Sequence, residues 1–205
     1  TVTDVTETVT LTIGAIADTT VAENAVFTGS TPAITGTPIG TLTYTLGGTD
    51  AADFTINSTT GVISMVARNF ESPADANTDN AYEVTIIATD SDGNTASETQ
   101  TVTVTDVTET VTLTIGAIAD TTVAENAVFT GSTPAITGTP IGTLTYTLGG
   151  TDAADFTINS TTGVISMVAR NFESPADANT DNAYEVTIIA TDSDGNTASE
   201  TQTVT

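Results

Sequence analysis

The side chains able to do chemistry in this sequence are almost all carboxylates. Its 205 residues hold 26 Asp and Glu against two basic residues, Arg68 and Arg170, with no Lys, His or Cys. Several acids fall in tight groups, namely Asp90 with Asp92, Asp75 with Asp79, and Asp106 with Glu109. Carboxylate oxygens are hard ligands, so any cation such groups hold is a hard one. Zinc, copper and iron–sulfur sites need nitrogen or sulfur and are excluded. Lacking His and Cys, the chain has no catalytic triad of the usual kind, and it carries no Gly-rich phosphate loop. Carboxylate pairs can hydrolyse glycosides, but here they are better accounted for as cation ligands, and no enzyme is expected. A net charge of −24 at pH 7 also excludes nucleic acids and anionic membrane surfaces as partners. Solubility alone is the bland account of that charge, and clustering around a cation is the sharper one.

Positioning these acids falls to a duplicated unit. The stretch Asp4-Val-Thr-Glu-Thr-Val-Thr-Leu-Thr-Ile-Gly14 returns at Asp106 to Gly116, an offset of 102 residues, and the identity persists to the end. Repeat 1 is read over residues 1–105 and repeat 2, an identical copy, over 106–205. Each copy is long enough to bury its own core. Identical copies read as a stretch of a longer array. Acidic chains are often disordered, but 38% of these residues are hydrophobic, and they alternate regularly, which favours a fold. No apolar run approaches the length of a membrane span, and no signal-peptide pattern is present.

The alternation gives strands. Val9, Leu11 and Ile13 form strand A, and an extended segment carrying Glu23 follows. Ala25 to Thr35 is read as B, Thr41 to Leu46 as C, Phe54 and Ile56 as D, and Val62 to Ala67 as E. Tyr82, Val84, Ile86 and Ala88 form the inward face of F, the Asp90-Ser-Asp-Gly-Asn94 stretch is a hairpin turn, and Thr99 to Val104 is G. Between the copies the apolar phase shifts. Val102 and Val104 sit on even numbers, Val111, Leu113 and Ile115 on odd ones. A one-residue slip turns every side chain to the other face, so two sheets meet across Asp106-Val-Thr-Glu109. Short strands, frequent turns and no helical periodicity predict an all-β chain of two tandem sandwiches with about seven strands each.

Five stretches of the first copy resemble, in order, the motifs of cadherin repeats. They are Ala22-Glu23-Asn24, Asp53-Phe-Thr-Ile-Asn57 with Thr60-Gly61-Val-Ile63, Asn69-Phe-Glu71, Tyr82-Glu-Val with Ala88-Thr-Asp90, and Val104-Thr-Asp106-Val107. The copies look most like cadherin-like repeats in the extender regions of giant bacterial adhesins of the RTX type, secreted by the type I route. That resemblance implies a cadherin/Ig-like sandwich, Ca2+ between repeats and an extracellular, surface-anchored location. This chain departs from the animal pattern at the linker, where Asp106-Val-Thr-Glu109-Thr replaces Asp-x-Asn-Asp-Asn. The Asp-x-Asp expected after B is also absent, and there is no Trp for strand exchange.

The sandwich topology sorts the acids by pole. Glu23, Glu71, Asp75, Asp79 and Asp106 fall at the C-terminal pole of the first copy, with Glu109 just beyond. Asp192 and Asp194 fall at the opposite pole of the second copy. The corresponding outer sets are Asp4, Glu7, Asp90 and Asp92 at one end, and Glu125, Glu173 and Asp177 at the other. All except Asp4 and Glu7, which only flank the first pole, are candidate calcium ligands. The alternatives stay open: Asp90-Ser-Asp92 also reads as a plain turn, Glu23 and Glu71 as solvated acids, and Asp75 and Asp79 as an exposed loop.

The expected function is a calcium-rigidified spacer whose partners are neighbouring identical repeats in the same chain. The chain is expected to be monomeric and not inserted in a membrane. The alternative is a carbohydrate- or ice-binding sandwich module. Threonine arrays such as Thr101, Thr103 and Thr105 motivate the ice-binding form, although threonine is also simply a good outward strand residue. The aromatics that a sugar site usually exposes, Tyr44, Tyr82, Phe54 and Phe70, mostly fall in strand phase with the core.

Overall fold

The computed structural model describes Thr3 and residues 5–205; Asp4 therefore lies outside the described residues. The chain divides into two compact units, Thr1–Val107 and Thr108–Thr205. Each unit is a β-sandwich, and the only helices among the described residues are single 3-10 turns, Ala51–Asp53 and Ala153–Asp155.

The first unit is built on one long hairpin. Strand β8 (Ala81–Thr89) pairs antiparallel with β9 (Thr95–Thr105), from Ala81 opposite Thr103 to Thr89 opposite Thr95. Alternation decides its faces. Tyr82, Val84, Ile86 and Ala88 are buried, as are Val102 and Val104, while the threonines between them face outward. Strand β5 (Thr43–Gly47) extends this sheet beyond β8, and β2 (Thr19–Ala22) extends it beyond β9, giving the order β2-β9-β8-β5. The opposing sheet runs β3 (Phe27–Thr28), β7 (Ile63–Met65), β6 (Phe54–Ile56). A short pair, β1 (Thr12–Ile13) with β4 (Ile34–Thr35), forms a separate two-stranded sheet. In strand letters, with β2 as an added strand beside G, the first sheet runs through G, F and C and the second through B, E and D, as in an immunoglobulin-type sandwich.

Ile63 and Met65 from one layer meet Tyr82, Val84 and Ile86 from the other, all essentially inaccessible to solvent. Each such burial contributes roughly 1.5–3 kcal/mol. Tyr82 also has a polar end to satisfy. Its hydroxyl accepts from Ala74 N at 3.1 Å, and the Arg68 guanidinium lies 5.4 Å from its ring centroid.

Several strand expectations change: C shifts to Thr43–Gly47, E contracts to Ile63–Met65 and G lengthens to Thr95–Thr105. Strand A contracts to Thr12–Ile13. B splits into β3 and β4, because Pro32 has no N–H for a ladder. The segment read only as extended before Glu23 is strand β2, and it is parallel to β9, with Thr19 opposite Val102 and Ala22 opposite Thr105.

The second unit repeats the pattern. Its strands are β10 (Thr114–Ile115), β11 (Phe129–Thr130), β12 (Ile136–Thr137), β13 (Thr145–Gly149), β14 (Phe156–Ile158), β15 (Ile165–Met167), β16 (Tyr184–Thr191) and β17 (Thr197–Val204). The counterpart of β2 is reduced to one parallel bridge, Thr121 with Val204.

Candidate metal centre

The parallel pairing of β2 with β9 sets Glu23 beside the end of β9. Glu23 N donates to Thr105 O at 2.9 Å. Asn24 then takes a left-handed conformation (φ 59°) and donates its own N–H to Arg68 O at 2.8 Å. The reversal buries the Glu23 side chain, leaving the residue 4% exposed. Its Oε1 accepts from Val107 N at 2.9 Å and its Oε2 from Phe70 N at 3.0 Å. One carboxylate thus ties together β2, the segment after β9 and the corner after β7. Asn69 and Asn80 shape that corner: Asn69 Oδ1 accepts from Ser72 N, and Asn80 Nδ2 donates to Phe70 O, both at 2.9 Å. The buried Asn80 Oδ1 has no hydrogen-bond partner.

This geometry brings Glu23, Glu71 and Asp106 together. Each offers a carboxylate oxygen, and the three oxygens lie within 4.8 Å of one another. Glu23 is buried, Glu71 half-buried and Asp106 exposed. Two like charges about 4 Å apart repel by about 1 kcal/mol in water and about 4 kcal/mol where partly shielded from it. Arg68 is committed to Asp53 at 2.7 Å, and Arg170 to Asp155 at 2.7 Å. An all-oxygen, triply anionic set fits a hard divalent cation that takes 6–8 oxygens, and calcium suits it better than magnesium, which holds its waters.

The remaining expected ligands are not brought into this cluster. Asp75 is buried and spends both oxygens on its own loop, accepting from Asp79 N at 2.8 Å and Asn80 N at 3.2 Å. Asp79 accepts from Asn77 Nδ2 and Ala81 N, both at 2.9 Å. Asp177 repeats the role of Asp75, accepting from Asp181 N and Asn182 N. Buried Asp90 accepts from Ile39 N, Asp92 N, Asn94 N and the Asn94 side chain. Burial pushes its carboxyl up, but those hydrogen bonds, Ile39 N foremost, outweigh burial and hold it below the ordinary value of 3.8. Asp192 behaves alike, with Ile141 N, the Asn196 side chain and N, and Asp194 N as donors.

Asp92 and Asp194 grip the segment entering each unit. Glu7 N donates to Asp92 Oδ2 at 2.6 Å, and Val9 N to Asn94 Oδ1 at 3.1 Å. Likewise Glu109 N donates to Asp194 Oδ2, and Val111 N to Asn196 Oδ1 at 3.2 Å. Glu125 is exposed and accepts from Phe172 N at 3.4 Å. Glu173 is also exposed, and among the described residues neither belongs to a group of three carboxylates close enough to hold an ion.

Sequence reasoning missed Asp50. It is buried, and its oxygens accept from Ala76 N and Glu83 N, both at 2.8 Å, pinning the loop before β8. Asp152 does the same in the second unit through Ala178 N and Glu185 N. Nothing local marks these residues, since their partners lie 26 and 33 positions away.

No family model matches the chain, and no curated protein matches it. Among solved structures it is similar to mouse cadherin-23 EC22-24, at 20% identity and a TM-score of 0.47, covering 93% of this chain and 61% of that one. Drosophila N-cadherin EC1-4 matches at 17% identity and a TM-score of 0.47, over 95% of this chain and 48% of that one. The human desmocollin-1 ectodomain matches at 16% identity and a TM-score of 0.43, over 96% of this chain and 40% of that one. The chain thus spans from two fifths to about three fifths of these proteins.

Proposed function

We propose that this chain is a pair of calcium-stabilised structural repeats from the extender region of a long bacterial surface adhesin, acting outside the cell as a spacer. The observation that carries the reading is the Glu23, Glu71 and Asp106 set, which brings three carboxylate oxygens within 4.8 Å of one another. They come from β2, the loop after β7 and the end of β9, so one bound ion cross-links three distant stretches. Asp106 stands next to Val107, where the first unit ends. Calcium there fixes the segment through which the chain leaves that unit. Two identical copies fit a spacer, whose task is length rather than individual specificity.

Thermal unfolding with and without calcium tests this. A ligand at a hundred times its Kd stabilises the folded state by about 2.7 kcal/mol per site. For a unit of this size that corresponds to a rise of roughly 10–20 °C in Tm. Calcium should raise the first transition well above its value in EDTA, with magnesium a poor substitute. Glu71→Ala should remove most of the rise, whereas Glu173→Ala, the same change in the second copy, should keep it. Glutamyl endopeptidase should also cut after Glu109 more slowly in calcium than in EDTA. A Tm indifferent to EDTA, or the same calcium response in both variants, would refute the reading.

A further inference from the structure

A second feature, away from the carboxylate cluster's residues, is carried by both copies. Strand β1 ends at Ile13, and Gly14 N still donates to Ala33 O at 2.8 Å. The chain then leaves that sheet to join β9 as β2, which opens a groove between residues 14–19 and 27–33. Its volume is about 420 Å³ in the first unit and about 410 Å³ at the same place in the second. Both lie within the range of roughly 300–1,000 Å³ typical of ligand pockets. The poles of the two copies differ, with Glu23 buried and Glu125 exposed, but the grooves do not. They belong to the repeat itself.

We propose that each groove binds a neutral saccharide. The carboxamide of Gln100, a residue only 6% exposed, is fixed through Nε2 to Ala17 O at 2.9 Å. The Asp18 carboxylate is fixed by Thr101 N, which donates to Oδ1 at 2.8 Å. Gln202 and Asp120 are held in the same way in the second copy, by Ala119 O and Thr203 N. Thr19, Thr28, Ser30 and Thr31 add four hydroxyls to the wall, and Phe27 and Ile16 add apolar surface. A hydroxyl both donates and accepts, a carboxylate accepts, and a carboxamide does each at a different atom. That set complements vicinal hydroxyls, with the apolar wall left for C–H faces. No cation lines the groove, which disfavours phosphate, sulfate and uronate ligands, and a single carboxylate does not make a metal site.

A microarray of neutral and charged oligosaccharides, probed with the whole chain and followed by saturation-transfer NMR on the hits, tests the proposal. Neutral hexose oligomers should bind with two sites per chain. Ala17 and Ala119 are exposed groove residues, so Ala17→Trp with Ala119→Trp should fill both grooves and weaken binding at least tenfold without shifting Tm. Thr31→Ala with Thr133→Ala, which removes hydroxyls and adds no bulk, should weaken it several-fold. Binding should persist in Glu71→Ala, which separates this site from the calcium site. Three results would overturn the proposal: no transfer from any neutral saccharide, binding undiminished in both double variants, or a preference for charged glycans or for a basic peptide.

Discussion

At the scale of the residue, the carboxylates divide by what their oxygens face. Glu23, Glu71 and Asp106 bring carboxylate oxygens within 4.8 Å of one another, with Glu23 also accepting from Val107 N and Phe70 N, whereas Asp50, Asp75 and Asp90 are spent on backbone N–H groups without such a neighbour set among the described residues. The second kind is an internal fastener, and its effect depends on charge. Because Asp90 and Asp192 have folded pKa values below 3.8, the stability they supply is complete above that pH. It is lost as pH falls through the folded value, since the unfolded chain then binds more protons. Acid unfolding in EDTA should therefore steepen below about pH 4. Asp90→Asn with Asp192→Asn should lower stability at neutral pH and flatten that acid limb. Circular dichroism across a pH series reads both effects, and an unchanged acid limb would contradict the fastener role.

At the scale of the element, the turns are set by local sequence and by what lies behind them. Gly93 in the β8–β9 hairpin has φ 87° with nothing within 4 Å of an added Cβ, whereas Gly36 after β4 has φ 101° with Thr10 O only 2.4 Å away. Both substitutions to Ala meet the left-handed penalty of roughly 1–2 kcal/mol. Only Gly36→Ala also drives a methyl into backbone that cannot rotate aside. It should cost roughly 1–3 kcal/mol more than Gly93→Ala, the range for an overpacked site. Urea midpoints at constant m-value measure the difference. Equal losses would show that Thr10 moves freely. The Asp90 to Asn94 turn was legible because Asp-Gly favours positive φ. Strand β2 was not, because Thr-Thr-Val-Ala becomes a strand only when β9, some eighty residues later, runs alongside it.

At the scale of the whole molecule, charge governs the response to solution conditions. With a net −24 and both arginines paired, the folded chain repels itself. Raising the ionic strength from about 0.01 M to about 1 M shortens the Debye length from about 30 Å to about 3 Å. In EDTA the Tm should rise with sodium chloride over that range. In saturating calcium the rise should be smaller, because the ion already neutralises the most crowded carboxylates. A larger salt effect in calcium than in EDTA would place the critical repulsion elsewhere.

The sequence by itself determined the duplication, the all-β alternation and the phase shift between Val104 and Val111. It also determined that any resident cation must be held by oxygen. These are properties of spacing and residue type, which need no partner to be read. Tertiary structure decided which acids meet. Glu23 reaches Phe70 N and Val107 N because β2 runs parallel to β9, and Asp106 joins Glu71 because both segments end at that pole. The same long-range contacts gave Asp75 and Asp90 to their own loops and buried Asp50, which no local pattern marked. A period of two fixes the face a side chain occupies, but the donor that meets a carboxylate there comes from whichever distant segment the fold lays beside it.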